Sequence, residues 1–180
     1  MAMKFIASQT VSTNGSTVTF SSIPQHFTHL QIRVFGRGMA TFSDGLSMYL
    51  QFNDDTTANN YQNHGLYGNG SGTYSGNYLN TGSVTAQQIF PDASATANYF
   101  GFALIDILDY TSTVKNKTTK IVGGYDKNGG GRAMIYSSLW MPSTPVAINK
   151  ILVSTDNGYL SGSRIDLYGI YSANATGAQW

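Results

Sequence analysis

The sequence predicts an all-β domain of two packed sheets, a sandwich of jelly-roll or related Greek-key topology, and three observations carry that prediction. All nine acidic residues are aspartate and none is glutamate, so the residue that most often fills a helix's solvent face is missing. Ile, Val, Thr, Tyr, Phe and Trp supply 62 of 180 residues, and β-branched and aromatic side chains suit a pleated, half-buried surface. Gly, Ser, Thr and Asn supply 72, the chemistry of turns and polar strand faces.

Taken in order, Phe5 to Ser12 reads as a strand, and Asn14-Gly15 reads as a hairpin turn into Ser16 to Phe20, because both turn residues tolerate positive φ. Pro24 ends that run. Leu30, Ile32 and Val34 then alternate with Gln31, Arg33 and Phe35, and Leu46, Met48, Leu50 and Phe52 alternate with Ser47, Tyr49 and Gln51. A period of two places one face of each strand on a core. Further strands are expected at Gln87 to Phe90, Asn98 to Asp109, Thr118 to Tyr125, Arg132 to Trp140, Ala147 to Ser154 and Ser163 to Tyr171, divided by Gly, Pro, Asn or Asp clusters. About nine strands in one domain over residues 1–180 is the expectation.

Between residues 53 and 83 the alternation dissolves into Asn, Gly, Ser and Tyr, which reads as a long excursion of the kind that makes contacts. Tyr61, Tyr67, Tyr74 and Tyr78 fall there, interleaved with Asn60, Gln62, Asn63, His64, Asn69 and Asn77. Tyrosine brings a flat apolar face with a polar tip, and Asn or Gln brings adaptable hydrogen bonds, a mixture common in binding surfaces. Two readings stand together: an interface, with protein favoured over glycan, or tyrosines folded back over the open edge of the sandwich.

Composition narrows the function. Ten basic against nine acidic residues leave a net charge of +1, without the positive field that nucleic-acid binding needs. The longest apolar run, Tyr99 to Ile105, is far short of the roughly 20 residues of a spanning helix, so no membrane insertion is expected. The first ten residues lack the apolar stretch of a secretion signal, which predicts synthesis in a cytoplasm without export by that route. With no cysteine there is no disulfide framework and no thiolate nucleophile.

Catalytic patterns are sparse. Without a Gly-x-Ser-x-Gly elbow, serine chemistry would need His26, His29 or His64 to meet a serine and an aspartate through folding alone. His26 and His29 flank a turn and do not form a helical metal pair. Asp106 and Asp109 are an odd number of residues apart, so on one strand they face opposite ways and make a poor glycosidase pair. Asn53, Asp54 and Asp55 offer calcium ligands without the Gly and Glu of an EF-hand loop. Gly68 to Gly72 is glycine-rich but lacks the Lys and Ser/Thr of a phosphate loop. The four Asn-x-Ser/Thr sites, at Asn14, Asn69, Asn116 and Asn174, match the frequency expected by chance in such a composition. Neither enzyme activity nor a cofactor is expected.

Four segments resemble, in order, structural proteins of tailed bacteriophages. Thr19 to Arg33, with its Phe-Ser-Ser-Ile-Pro-Gln core and Thr28-His29-Leu30-Gln31-Ile32-Arg33, leads into a long strand as it does there. Phe52-Asn53-Asp54-Asp55 to Tyr61, continued by Leu66-Tyr67-Gly68-Asn69-Gly70-Ser71, is similar to a second shared stretch. Ile107-Leu108-Asp109-Tyr110 and the closing Gly162-Ser163-Arg164-Ile165-Asp166-Leu167-Tyr168-Gly169-Ile170 complete the set. Asp55, and Asn63 with Gly65 around the histidine, depart from the family pattern.

The resemblance implies a β-sandwich component of the virion without catalytic residues. A chain that enters its first strand almost at Met1 suits a capsid decoration, or cement, protein seated on the major capsid protein, expected as a homotrimer on a local threefold axis. The alternative is a tail-fibre, spike or baseplate domain that binds tail proteins or a host-surface glycan. Interface candidates are Tyr61, His64, Tyr67, Tyr74, Tyr78 and the terminal Trp180, whose indole would serve as an anchor in the tail 172–180.

Overall fold

The computed structural model describes residues 2–42 and 45–172, without the side chains of residues 78 and 80. Twelve strands and a single 3-10 turn build the described chain, and no α-helix occurs in it. The strands are β1 (Met3–Thr10), β2 (Val18–Phe20), β3 (His29–Gly36), β4 (Leu46–Phe52), β5 (Tyr61–Gly68), β6 (Thr73–Thr81), β7 (Val84–Phe90), β8 (Gly101–Ile107), β9 (Lys117–Asp126), β10 (Gly131–Trp140), β11 (Ile151–Thr155) and β12 (Arg164–Ile170). They form an eight-stranded sheet in the order β1-β12-β3-β8-β9-β10-β5-β6 and a four-stranded sheet in the order β2-β11-β4-β7. All observed pairings are antiparallel.

Alternation does what the sequence predicts in the centre of the sandwich. Leu30, Ile32 and Val34 of β3 and Leu46, Met48, Leu50 and Phe52 of β4 are fully buried from opposite sheets. Ile105 and Ile107 of β8, Ile121 of β9 and Ile165 and Leu167 of β12 join them in one core cluster. Burying such side chains contributes roughly 1.5–3 kcal/mol each, which is how a chain without disulfides holds two sheets together.

Two expectations are corrected. Asn14-Gly15 does not close a hairpin between its flanking strands: β1 pairs with β12 in the large sheet, whereas β2 pairs with β11 in the small one. The turn instead carries the chain across the sandwich, with Gly15 at φ 83° donating its N–H to the Tyr159 carbonyl and Asn14 accepting from the Ser161 N–H. The 53–83 segment is not a long loop. It contains the one-turn η1 (Ala58–Asn60) and the β5–β6 hairpin, which raises the strand count above nine and extends the large sheet by two strands.

The segments around Pro24, Tyr110 and Gly169 are structural braces that meet in space. Between β2 and β3, Ile23 and Phe27 are buried, and Gln25 Nε2 donates to the Ile23 and Ile148 carbonyls. Tyr110, from the end of the Ile107 to Tyr110 segment, donates its hydroxyl to the Pro24 carbonyl. Phe27 lies against Gly169 of β12, where a Cβ would come within 2.3 Å of the ring. Glycine at 169 is therefore a packing requirement.

Polar groups are also buried. Lys117 is almost wholly enclosed, and its Nζ donates to the Ser112 and Lys115 carbonyls at 2.6 and 2.7 Å; burial lowers its pKa, with Asp109 acting in the opposite direction. Arg37 donates to the carbonyls of Asp92, Ala93, Ala95 and Thr96 and so pins the connection after β7. Thr119 and Ser138, directly opposed on β9 and β10, carry hydroxyls with no hydrogen bond among the described residues.

Candidate interaction surface

At one end of the large sheet, β10 and β5 bury Met134, Tyr136, Trp140, Tyr61 and Asn63 on their inner face, and β6 is the edge strand. Tyr74, Ser75, Asn77 and Leu79 of β6 are all exposed. On the outward face, Leu104, Val122, Ile135 and Leu66 stand directly opposite one another across β8, β9, β10 and β5. The exposure of this row increases toward the sheet edge, reaching 50% at Ile135 and 56% at Leu66; Leu79, on the same face of β6 but opposite Gln62, is 48% exposed. The next outward row is polar and contains Asp106, Lys120, Ser137, His64 and Asn77.

Where these rows meet, a shallow groove of about 540 Å³ is lined by His64, Leu66, Ser75, Asn77, Ile135 and Ser137. A second depression of about 370 Å³ adjoins it and shares Leu66 and Ile135. Both are open and shallow, a shape suited to a broad contact rather than an enclosed small molecule. No Asp, Glu, Lys or Arg occurs between residues 56 and 91, and β10, β5 and β6 together contain one such residue, Arg132. Charge is concentrated elsewhere, as in the Arg33, Asp106, Lys120, Arg164 and Asp166 set on the other strands.

At the end of the hairpin, the rings of Tyr67 and Tyr74 stack with centroids 5.0 Å apart and planes inclined by 21°. The Arg132 guanidinium lies 4.5 Å from the Tyr67 centroid, within the range of a cation–π contact. Tyr67 is half-buried and Tyr74 is 44% exposed, so one flat ring remains available to a partner.

The structure separates the sequence candidates. His64, Tyr67 and Tyr74 share the β5–β6 hairpin, His64 in the outward groove and the two tyrosines at its tip. Tyr78 lies in β6 opposite Asn63, and its side chain is outside the described residues, as is Trp180. Tyr61 is removed from the interface set because it is fully buried. Its ring packs on Phe52 and Trp140, and its hydroxyl accepts from Phe52 N–H and donates to the Asp55 carbonyl. Burial drives its hydroxyl pKa strongly upward, so it is a core phenol.

Asn63 and Gly65 are inward-facing. Asn63 donates to Thr81 Oγ1 and accepts from Thr85 N–H, while Gly65 lies beneath Tyr136, where a Cβ would come within 2.2 Å of the ring. They shape the hairpin's attachment to the core. The sequence reading missed Leu66, Leu79 and Ile135; the available signal was that Met134, Tyr136 and Trp140 alternate with Ile135 and Leu139, making β10 apolar on both faces.

The chemical candidates are occupied by structural duties. Asn53 donates to the Ala147 carbonyl and accepts from Asn149 and Lys150 N–H; Asp54 pairs with Lys150 at 2.8 Å. Asp55 accepts from Trp140 Nε1, Asn60 and Thr57. Burial alone would raise its carboxyl, and these hydrogen bonds outweigh that effect and hold it below the ordinary aspartate range. Asp106 accepts from Gln31, whereas β8 ends at Ile107, so Asp109 sits in a turn and pairs with Lys115. His29 Nδ1 accepts from Asp109 N–H, and the exposed His26 ring packs on Phe27. Among the described residues no three His, Asp or Glu side chains are grouped to hold a metal.

No protein-family model matches the sequence, and no curated protein is significantly similar to it.

Proposed function

We propose that this chain is a structural component of a tailed-bacteriophage particle, a capsid decoration protein that binds the major capsid protein by passive surface burial. The observation that carries the adhesive part of this reading is the uncharged outer face of this sheet end, with Leu66, Leu79 and Ile135 exposed beside Ser and Asn. A neutral, partly apolar surface gains little from long-range attraction and most from exclusion of water, which suits a permanent contact. The ordered phage-like segments support the virion context, and their bracing roles accord with a family whose shared residues preserve a sandwich.

The experiment is addition of purified protein to heads stripped of decoration, followed by electron microscopy. The expected result is fixed stoichiometric occupancy, reduced by Leu66→Asp or Ile135→Asp at unchanged fold. Density confined to the tail, or no binding to heads, overturns the head assignment.

A second reading is favoured by the Tyr67–Tyr74 stack with Arg132: a tail-borne domain that holds a host-surface glycan on the exposed Tyr74 ring. It predicts glycan binding that Tyr74→Ala abolishes and Leu66→Asp spares.

A further inference from the structure

We infer that β6 is a pairing edge through which two copies of this chain join strand to strand, antiparallel, about a two-fold axis. β6 pairs with β5 along one side, and among the described residues no strand lies on its other side. Its regular stretch, residues 73–79, offers a seam of about 23 Å at the usual rise per residue, with a row of backbone donors and acceptors along it.

Stand-alone proteins blunt such an edge with charge, proline, a bulge or a covering segment. β6 reads Thr-Tyr-Ser-Gly-Asn-Tyr-Leu-Asn-Thr and has neither charge nor proline. Its one register irregularity leaves Asn80 without a partner residue near the end of the strand, and residues 73–79 pair regularly with Gly68 to Gln62. The opposite edge, β1, is protected: it carries Lys4 and a bulge between Phe5 and Ala7.

The occupant is a strand, because only an extended backbone satisfies that row, and it is neutral, because no charge on residues 56–91 awaits a counter-charge. A second β6 meets both conditions. In antiparallel self-pairing no like charges oppose each other, and the exposed Leu79 lies on the same face of β6 as Ser75 and Asn77, beside the seam. The result is an isologous dimer with one continuous sheet across both copies.

This inference does not rest on the virion assignment, since solution mass and capsid occupancy are read separately. Sedimentation equilibrium of the full chain is expected to give the mass of two copies. Ser75→Lys with Asn77→Lys, both at exposed positions, places like charges across the seam and should weaken the dimer by about tenfold or more. Mixing that variant with Ser75→Asp/Asn77→Asp should restore association as a heterodimer, whereas Ser8→Lys on β1 should leave the wild-type dimer intact. Amide exchange across residues 73–79 of the wild-type chain should slow as concentration rises, a readout independent of any variant's folding. A monomer at all concentrations, a threefold assembly, or a dimer indifferent to the β6 lysines would overturn the inference.

Discussion

Phe27 rests its ring on the backbone of Gly169, at a position where a Cβ would approach to 2.3 Å, and thereby closes the β2–β3 connection over β12. The contact joins two segments 142 positions apart and stands beside the Tyr110 hydroxyl bond to Pro24. Gly169→Ala must displace an aromatic ring packed among buried neighbours. The expected cost is about 1–3 kcal/mol in chemical denaturation. Combining it with Phe27→Leu should cost less than the sum of the two single changes, because the ring it collides with has been removed.

Asp55 links η1 to β10 through the 2.7 Å bond from Trp140 Nε1. Asp55→Ala should destabilise by about 2 kcal/mol, the usual worth of hydrogen bonds to a charged group at a partly exposed site. The carboxyl is held below its ordinary value of 3.8 in the folded chain. Its contribution is therefore fully present above that pH and is lost as pH falls through the lower folded value. Urea denaturation from neutral pH downward should show this loss in the wild type and a shallower decline in Asp55→Asn.

At alkaline pH the tyrosines govern. Burial and the bond to Asp156 raise Tyr49 to about 12, and burial also raises Tyr61, Tyr110 and Tyr159. A raised folded pKa gives stability that is complete below the unfolded value of 10 and declines as pH rises through the folded one. Near-ultraviolet tyrosinate absorbance should accordingly include a late component, from Tyr49, Tyr61, Tyr110 and Tyr159, that develops with unfolding. Tyr49→Phe should flatten the decline in stability between pH 10 and 12 while costing about 1 kcal/mol at neutral pH.

Thr119 and Ser138 place two hydroxyls in the core with no hydrogen bond among the described residues. Thr119→Val keeps the shape and removes a polar group, so it should be neutral or stabilise by up to about 1 kcal/mol, read as a higher thermal midpoint. Marked destabilisation would show that the hydroxyl has a partner the sequence of contacts does not reveal.

Much of the sandwich was legible because its central strands obey a period of two. Leu46, Met48, Leu50 and Phe52 announce their inward face, and the aspartate-only acid content removes helices from consideration. The β5–β6 hairpin was not legible, since its pattern runs backwards. Asn63 and Gly65 are buried while Leu66 is exposed, the reverse of what alternation predicts. The distant partners Thr85 and Tyr136 decide that inversion. Asn14-Gly15 was misassigned for a related reason: the turn was visible, but which sheet receives the next strand depends on β11 and β12, far along the chain.

By itself, the sequence determined the secondary-structure type, the central strand faces and the shortage of charge, because each is set by local side-chain chemistry. Tertiary structure alone decided that Tyr61 belongs to the core, that Asp55 braces Trp140, and that the neutral β6 forms a sheet edge. Those outcomes depend on which non-local strands become neighbours, and burial is conferred by neighbours, not by residue type.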